Sequence, residues 1–568
     1  MKKQIIFILT AIFILLSIDF LSGKRSSFVL PMGGDDVSFK YAYGDIYKKL
    51  YKKKFKGGDF VYSSQRQYFS DYEEFSVKKP DDTIRIIFIG GSFTYDWAGH
   101  ITLPVDLIPG KKLEIINAGM PGYDSYRVEI IAKEMMSYDP DLVVLISGNN
   151  EYFNQQGINL TAYYFNEFLA RFSFYRNFKK SIMFNNKKIN EENIDQLQLI
   201  YLNYEKNIKS IVANANKNDV PIVLSTLPLN FSGSLVDVPE PVDSQFIQGK
   251  IYLDDGNYAE AIDVFNGYIN DHPGDMLGYY FLGRAHEKNN DYVEAKNNYS
   301  LAKNLMAVAD TSNTKKNEIV KKIAKEEGAG LLDLEEIFTK SAQNGLTGKE
   351  QFRDHCHVWK EYFPVMDKAL IKTILQNNDI YSKLFDSNTV KKKLEDYAFN
   401  VKLPTFKDIA ENHMNWERIT FHAVINSIQA NNRFSERSLL CFETLFLMDP
   451  ASLWNIQYSE KSMKNLLSQD PYSRSTVLPN NKFSQNWYRV LCHVGEAYRR
   501  MHKYEEALAY FDLSVDFNQD DYSPYLSRAL TYYSLDKKQK AKSDIEKALL
   551  CKDTNVNEVN LYKEILGL

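Results

Sequence analysis

At 568 residues the chain is too long for one hydrophobic core, and its 44% hydrophobic and 25% charged residues are the proportions of folded protein, so several domains are expected. A formal net charge of -4 leaves no whole-chain basic field and argues against nucleic acid as a partner. The cysteines Cys356, Cys441, Cys492 and Cys551 lie far apart with no Cys-x-x-Cys pair, which speaks against a zinc site and against a disulfide scaffold.

Lys2 and Lys3 precede an apolar run from Ile5 to Ile18, softened by Thr10 and Ser17, before Asp19 and Lys24-Arg25 restore polarity. Residues 1–24 are therefore expected to be a signal peptide or a membrane anchor. As a helix of about 14 residues the run would span about 21 Å, short against a hydrocarbon core of roughly 30 Å. Around Phe20-Leu21-Ser22-Gly23 a bulky residue stands where a signal peptidase wants a small one, which favours an uncleaved anchor over a removed peptide. With the lysines held inside, the remainder should be extracytoplasmic, membrane-anchored or exported, in the cell envelope or periplasm.

Residues 25–82 are rich in Tyr, Lys and Gly and read as an irregular lead-in. From Thr83 short apolar runs alternate with amphipathic stretches: Ile84–Ile89, Leu113–Ile116, Leu142–Ile146, Ile222–Leu227 and Leu331–Leu334 read as buried parallel strands, with helices such as Ser125–Tyr138 and Ile194–Asn214 between them. This predicts a doubly wound α/β domain in two parts, 83–243 and 308–376.

Between the fourth and fifth strands Gly249, Tyr252, Ala261 and Phe265 recur 34 positions later as Gly283, His286, Ala295 and Tyr299. Near the C-terminus Gly495, Tyr498, Ala507 and Phe511 are followed at the same interval by Ala529, Tyr532, Ala541 and Ile545. Such a stripe is core packing in any helical protein, but the same period fitting twice resembles the tetratricopeptide repeat, two helices per unit. Repeats are expected at 244–307, inserted in the α/β domain, and at 488–568, with a helical region over 377–487. Two repeats seldom stand alone, so each pair must lean on neighbouring structure.

The chemistry-bearing residues sit after the strands. IIFIGGSFT places Ser92 where the first strand turns into a helix; no G-x-G-x-x-G or Gly-Lys-Ser/Thr follows, so a phosphate loop is disfavoured. NAGMPGY and SGNNEY follow the second and third strands and can aim a glycine N–H and an asparagine amide at the same sheet edge, although glycine and asparagine also simply punctuate turns. After the fifth strand FRDHCHVW offers Asp354 three residues before His357, a spacing that lets the carboxylate orient the imidazole. His355-x-His357 also invites a metal, but no further ligands cluster at suitable spacing, and neither metal nor cofactor is expected.

In that order GGSFT, NAGMPG, GNNE and DHCH resemble the four motif blocks of the SGNH (GDSL-like) hydrolases, in particular the subgroup with tetratricopeptide repeats, over 83–235 and 308–376. The resemblance implies an SGNH-hydrolase-like, flavodoxin-like three-layer α/β sandwich with a parallel sheet, and a serine ester hydrolase with a catalytic triad of Ser92, Asp354 and His357. It implies an oxyanion hole from the Ser92 and Gly122 N–H groups and the Asn150 side chain. Departures are GGS in place of G-D-S, Glu151 in place of Asp, and Val358 where proline often follows the histidine. The expected substrate is an acyl or acetyl ester on a glycan, lipid or small molecule; carbohydrate O-acyl transfer and a non-catalytic scaffold that binds protein through its repeats are the rival readings. The expected partners are thus an ester substrate, a protein at the repeats and the membrane at the N-terminal segment.

Overall fold

The computed structural model describes residues 49–65, 73–104, 107–151, 192–233, 240–306, 312–385, 388–399, 402–430, 433–448 and 485–568. The segment expected to be a signal or anchor, 1–24, lies outside them, and among the described residues no helix is long and apolar enough to cross a membrane.

The lead-in is more ordered than its composition suggests. Strands β1 (Tyr51–Lys56), β2 (Asp59–Ser64) and β3 (Glu74–Ser76) form an antiparallel sheet. The first two are joined through Gly57 and Gly58, whose φ of 62° and 95° supply the left-handed backbone that a tight hairpin needs. The run of lysines hides the alternation because this sheet is anchored at one end: Tyr51, Tyr62 and Phe75 cluster with Tyr138. Fully buried Arg85 ties the two sheets together, donating from Nε to Glu114 and from Nη2 to the Ser76 carbonyl.

Next come β4 (Thr83–Gly90), α1 (Ser92–Ala98), β5 (Lys112–Gly119), α2 (Ser125–Met135), β6 (Leu142–Ile146), α3 (Glu192–Lys217) and β7 (Ile222–Ser225). A first pair of hairpins, α4 (Ser244–Asp254) with α5 (Tyr258–Asp271) and α6 (Met276–Lys288) with α7 (Tyr292–Leu305), then interrupts the domain. It resumes with α8 (Thr314–Glu327), β8 (Gly330–Leu332), α9 (Leu334–Ser341) and α10 (Phe363–Gln376). The five strands β4–β8 are all parallel, in the spatial order β5-β4-β6-β7-β8, the 2-1-3-4-5 order of flavodoxin-like sheets. Successive residues point to opposite faces, so a strand covered on both sides must be apolar throughout. Ile86 and Phe88 of β4 pack with Trp97, Met366 and Leu370 on one face. Ile87 and Ile89 pack with Val128, Ile211 and Ile323 on the other. Helices cover both faces of the sheet; β4 and β6 match their apolar runs to within one residue at each end, β5 runs on to Gly119, and β7 and β8 end two residues short of theirs.

The chain continues through α11 (Asn378–Leu384), α12 (Asn388–Ala398), α13 (Phe406–Ala410), α14 (His413–Gln429) and α15 (Glu436–Met448). It ends in α16 (Trp487–Arg500), α17 (Tyr504–Phe517), α18 (Ser523–Ser534), α19 (Lys538–Leu550) and α20 (Val556–Ile565). The 34-residue spacing has a packing cause. A Cβ on Gly249, Gly283 or Gly495 would lie 2.8, 2.9 or 2.7 Å from the ring of Phe265, Tyr299 or Phe511, so each small residue is the seat of the aromatic sixteen positions on. The two repeat pairs lean on each other, since Ile247 of α4 packs into the cluster of Leu526, Ala529, Ile545 and Tyr562.

Candidate active site

In a 2-1-3-4-5 sheet the connections leave in opposite directions from the two central strands, which opens a crevice at their carboxyl ends. Here those strands are β4 and β6, and the residues that follow them are Ser92 and Asn150. The turn after β4 is tight: a Cβ on Gly90 would lie 1.9 Å from the Ile146 carbonyl oxygen and 2.1 Å from Thr94 Oγ1. Thr94 donates to that same carbonyl at 2.8 Å, so β6 and the start of α1 are stitched together directly beneath Ser92.

Across the crevice, the loop after α9 brings Asp354 and His357 to Ser92. His357 Nε2 is 2.8 Å from Ser92 Oγ, and Nδ1 is 2.9 Å from Asp354 Oδ2 and 3.1 Å from Oδ1. With Nδ1–H donating to the carboxylate, Nε2 is left to accept the serine proton. Asp354 Oδ1 also accepts from the backbone N–H groups of His357 at 2.7 Å and Cys356 at 2.9 Å, so the three-residue spacing closes a turn as well as an ion pair. Burial alone would push Asp354 up, but His357 above all, then His355 and Arg353, holds its carboxyl well below the usual carboxylate range. Arg353 also pairs with Asp96 of α1, which ties the dyad loop to the helix that carries Ser92, and Asn230 Nδ2 donates to the Asp354 carbonyl at 2.9 Å. His355 is placed differently: its Nδ1 is 4.0 Å from Asp354 Oδ1.

Asn150 Nδ2 donates to the Tyr123 carbonyl at 3.2 Å, and it would lie 3.0 Å from a Cβ on Gly91, which sets the amide beside the serine turn. Gly122, with φ of 76°, immediately precedes Tyr123, and its N–H has no hydrogen-bond partner among the described residues. The Ser92 N–H belongs to a first helical turn, whose donors lack intrahelical acceptors.

The loop under Asn150 is pinned residue by residue, which sequence reasoning missed. Tyr204 donates to the Ser147 carbonyl at 2.7 Å, Lys316 to the Gly148 carbonyl at 2.8 Å, and the Ser312 N–H to Asn149 Oδ1 at 2.8 Å. Glu151 accepts from Ser125 N–H at 3.0 Å and from Ser125 Oγ at 2.6 Å. The one signal available was the carboxylate closing SGNNE. Burial, then neighbouring Asp124, pushes Glu151 up to about 7. Its folded value is raised, so the folded state holds a proton that the unfolded chain has lost, and stability falls as pH rises through about 4.5–7. Glu151→Gln should abolish that fall, worth about 3 kcal/mol across the window. Urea unfolding at pH 5 and pH 8 checks this; equal pH slopes in the two proteins would refute it.

Asp354, Cys356 and His357 bring donor atoms within 4.8 Å of one another, a set that could hold a metal ion. Both His357 ring nitrogens face Asp354 or Ser92, so an ion would compete with those contacts.

Models of the tetratricopeptide repeat family match residues 243–275, 488–521 and 522–550. The chain therefore contains tetratricopeptide repeats in the inserted pair and at the C-terminus, and such repeats point to a protein partner. No curated protein matches the chain. Among solved structures it is similar to the crystal structure of the P58(IPK) TPR domain, at 12% identity over 57% of this chain and 97% of that one, with a TM-score of 0.14, too low to bear on the fold.

Proposed function

We propose that the protein is a serine ester hydrolase of the SGNH type, working through Ser92, His357 and Asp354. The observation that carries this is the continuous relay from Ser92 Oγ through both ring nitrogens of His357 to the Asp354 carboxylate. The flavodoxin-like strand order, with Ser92 and Asn150 after the two central strands, supports the same reading. As Ser92 Oγ attacks the ester carbonyl, His357 takes its proton and Asp354, kept anionic, stabilises the imidazolium. The Ser92 and Gly122 N–H groups and Asn150 Nδ2 hold the oxyanion, each donor worth about 2.7–4 kcal/mol of transition-state stabilisation. His357 returns the proton to the departing alcohol and then activates water against the acyl-serine. A sugar hydroxyl in place of that water would make the same site an O-acyltransferase.

A serine-directed fluorophosphonate, followed by intact-mass and peptide analysis, tests the reading together with a panel of acetylated sugars, lipids and small esters. Labelling at Ser92 with turnover of at least one ester is the expected result. Absence of both would sink it and leave the repeats as the functional part, binding a protein partner.

On the same reading residues 1–24 hold the enzyme at the outer side of a membrane, on the strength of Lys2, Lys3 and the apolar run that follows. Cell fractionation should find the full-length chain with the membrane; a soluble form starting near Gly23 would overturn the anchor while sparing export.

A further inference from the structure

Next to the dyad lies a cavity of about 510 Å³, lined by Asp354 and His355 but not by Ser92 or His357. Its size falls within the roughly 300–1,000 Å³ of small-molecule sites. The walls come from four distant stretches of sequence: Asn230 to Gly233 after β7, α6 of the inserted repeats, the loop from Lys349 to His355, and the hairpin α14–α15.

The charges on these walls do not balance. Arg284, Lys288, Lys349, Arg353 and Arg437 face three carboxyls. Asp354 is paired with His357 and Glu287 accepts from the Tyr299 hydroxyl at 2.6 Å, while Glu443 stands 3.8 Å from Arg284 with its Oε1 lacking a hydrogen bond among the described residues. Arg284 pairs with Glu436, and Arg353 pairs through Nη2 with Asp96 while its Nη1 lacks a hydrogen bond among the described residues. The ammonium groups of Lys288 and Lys349, which come from different elements, have no hydrogen-bond or ion-pair partner among the described residues. Burial holds His422 down to about 4, so at neutral pH it offers a hydrogen bond and no charge. Glu443 and Glu287 act on Lys349 only at a distance, so two lysines that line one cavity with no carboxylate in contact suit a ligand oxyanion, which would gain charge-assisted hydrogen bonds from both.

We infer that this cavity binds an anionic group, a carboxylate or a phosphate, clasped between Lys288 and Lys349. The inserted repeats thus supply one jaw of a ligand site. The binding itself is independent of the hydrolase reading; only the further step, that the anion belongs to the ester substrate beside Ser92, rests on it.

Isothermal titration of the full chain at low ionic strength, with inorganic phosphate, glucuronate and neutral glucose, tests the inference. Saturable binding of phosphate or glucuronate, but not of glucose, is expected, and which anion binds tells phosphate from carboxylate. The Lys288→Ala/Lys349→Ala double variant should bind at least ten-fold more weakly, and Lys288→Arg should retain affinity. Both lysines are exposed, so folding should survive and can be checked by circular dichroism. No saturable anion binding, or equal affinity in the double variant, would overturn the cavity's role. Anion binding without ester turnover would count against the hydrolase reading alone, and turnover without anion binding against the cavity alone.

Discussion

Ser92→Ala and His357→Ala should each lower kcat/KM on a small ester by roughly 10⁴–10⁶-fold, leaving only what binding and the oxyanion donors provide. Asp354→Asn should cost about 10⁴-fold, because an amide no longer fixes the Nδ1–H tautomer. His355→Ala should keep far more activity. The histidines differ by geometry: His357 reaches Ser92 Oγ at 2.8 Å and the Asp354 carboxylate at 2.9 Å, whereas His355 stands 4.0 Å from that carboxylate and faces the neighbouring cavity. Residues acting as one unit lose their effects together, so the Ser92/His357 double variant should be scarcely worse than either single one. Steady-state kinetics on one ester for all five variants checks this. If His355→Ala is the dead protein and His357→Ala the active one, the dyad assignment fails; if the Ser92 and His357 losses multiply, the two do not form a relay.

Most of this site was legible because its residues sit at the carboxyl ends of apolar strands, and the strands are apolar because both faces of the sheet are covered. Ile84–Ile89 and Leu142–Ile146 could hardly be anything else once helical patterns separated them. Asp354 and His357 could be paired from spacing, since three residues close one turn, only together with the loop's place after a strand and the resemblance of DHCH to a family motif. The supports of the site were not legible. Arg353 meeting Asp96, and Lys316 meeting the Gly148 carbonyl, join residues that are neighbours only after the sheet has formed and the repeats have been looped out. The small sheet at 51–76 was missed for another reason: its pattern is set by one aromatic cluster with Tyr138, not by a buried face along its length. Lys56-Gly57-Gly58-Asp59 was nevertheless a hairpin signal in plain view.

The cavity exists only while the inserted repeats stay docked, and a buried ion cluster holds them. Glu436 of α15 receives Arg500 of α16 and Arg284 of α6, while Arg499 of α16 reaches Asp254 of α4. Glu436 and Arg500 are buried at 8% and 4% side-chain exposure, so water screens this pair little. Such a cluster can be replaced wholesale by apolar residues at little cost, but removing one member strands the others. Glu436→Gln keeps the shape and deletes the charge, leaving Arg284 and Arg500 buried without their shared carboxylate, and should cost about 3–5 kcal/mol. The wild-type pH dependence gives a second reading of the same interaction. Burial alone would raise Glu436, but Arg500 foremost, with Arg284, draws it down to about 2. Its folded value is depressed, so its stabilisation is complete above the unfolded value near 4.5 and is lost as pH falls through about 2. The variant should therefore lack about 3 kcal/mol of the acid sensitivity of the wild type. Hydrogen exchange locates the damage: protection should drop in α4–α7, α15 and α16 while β4–β8 hold theirs. Loss confined to α15, with α4–α7 as protected as before, would mean that the apolar contacts of Ile247 suffice to seat the insert and that the ion cluster is not its latch.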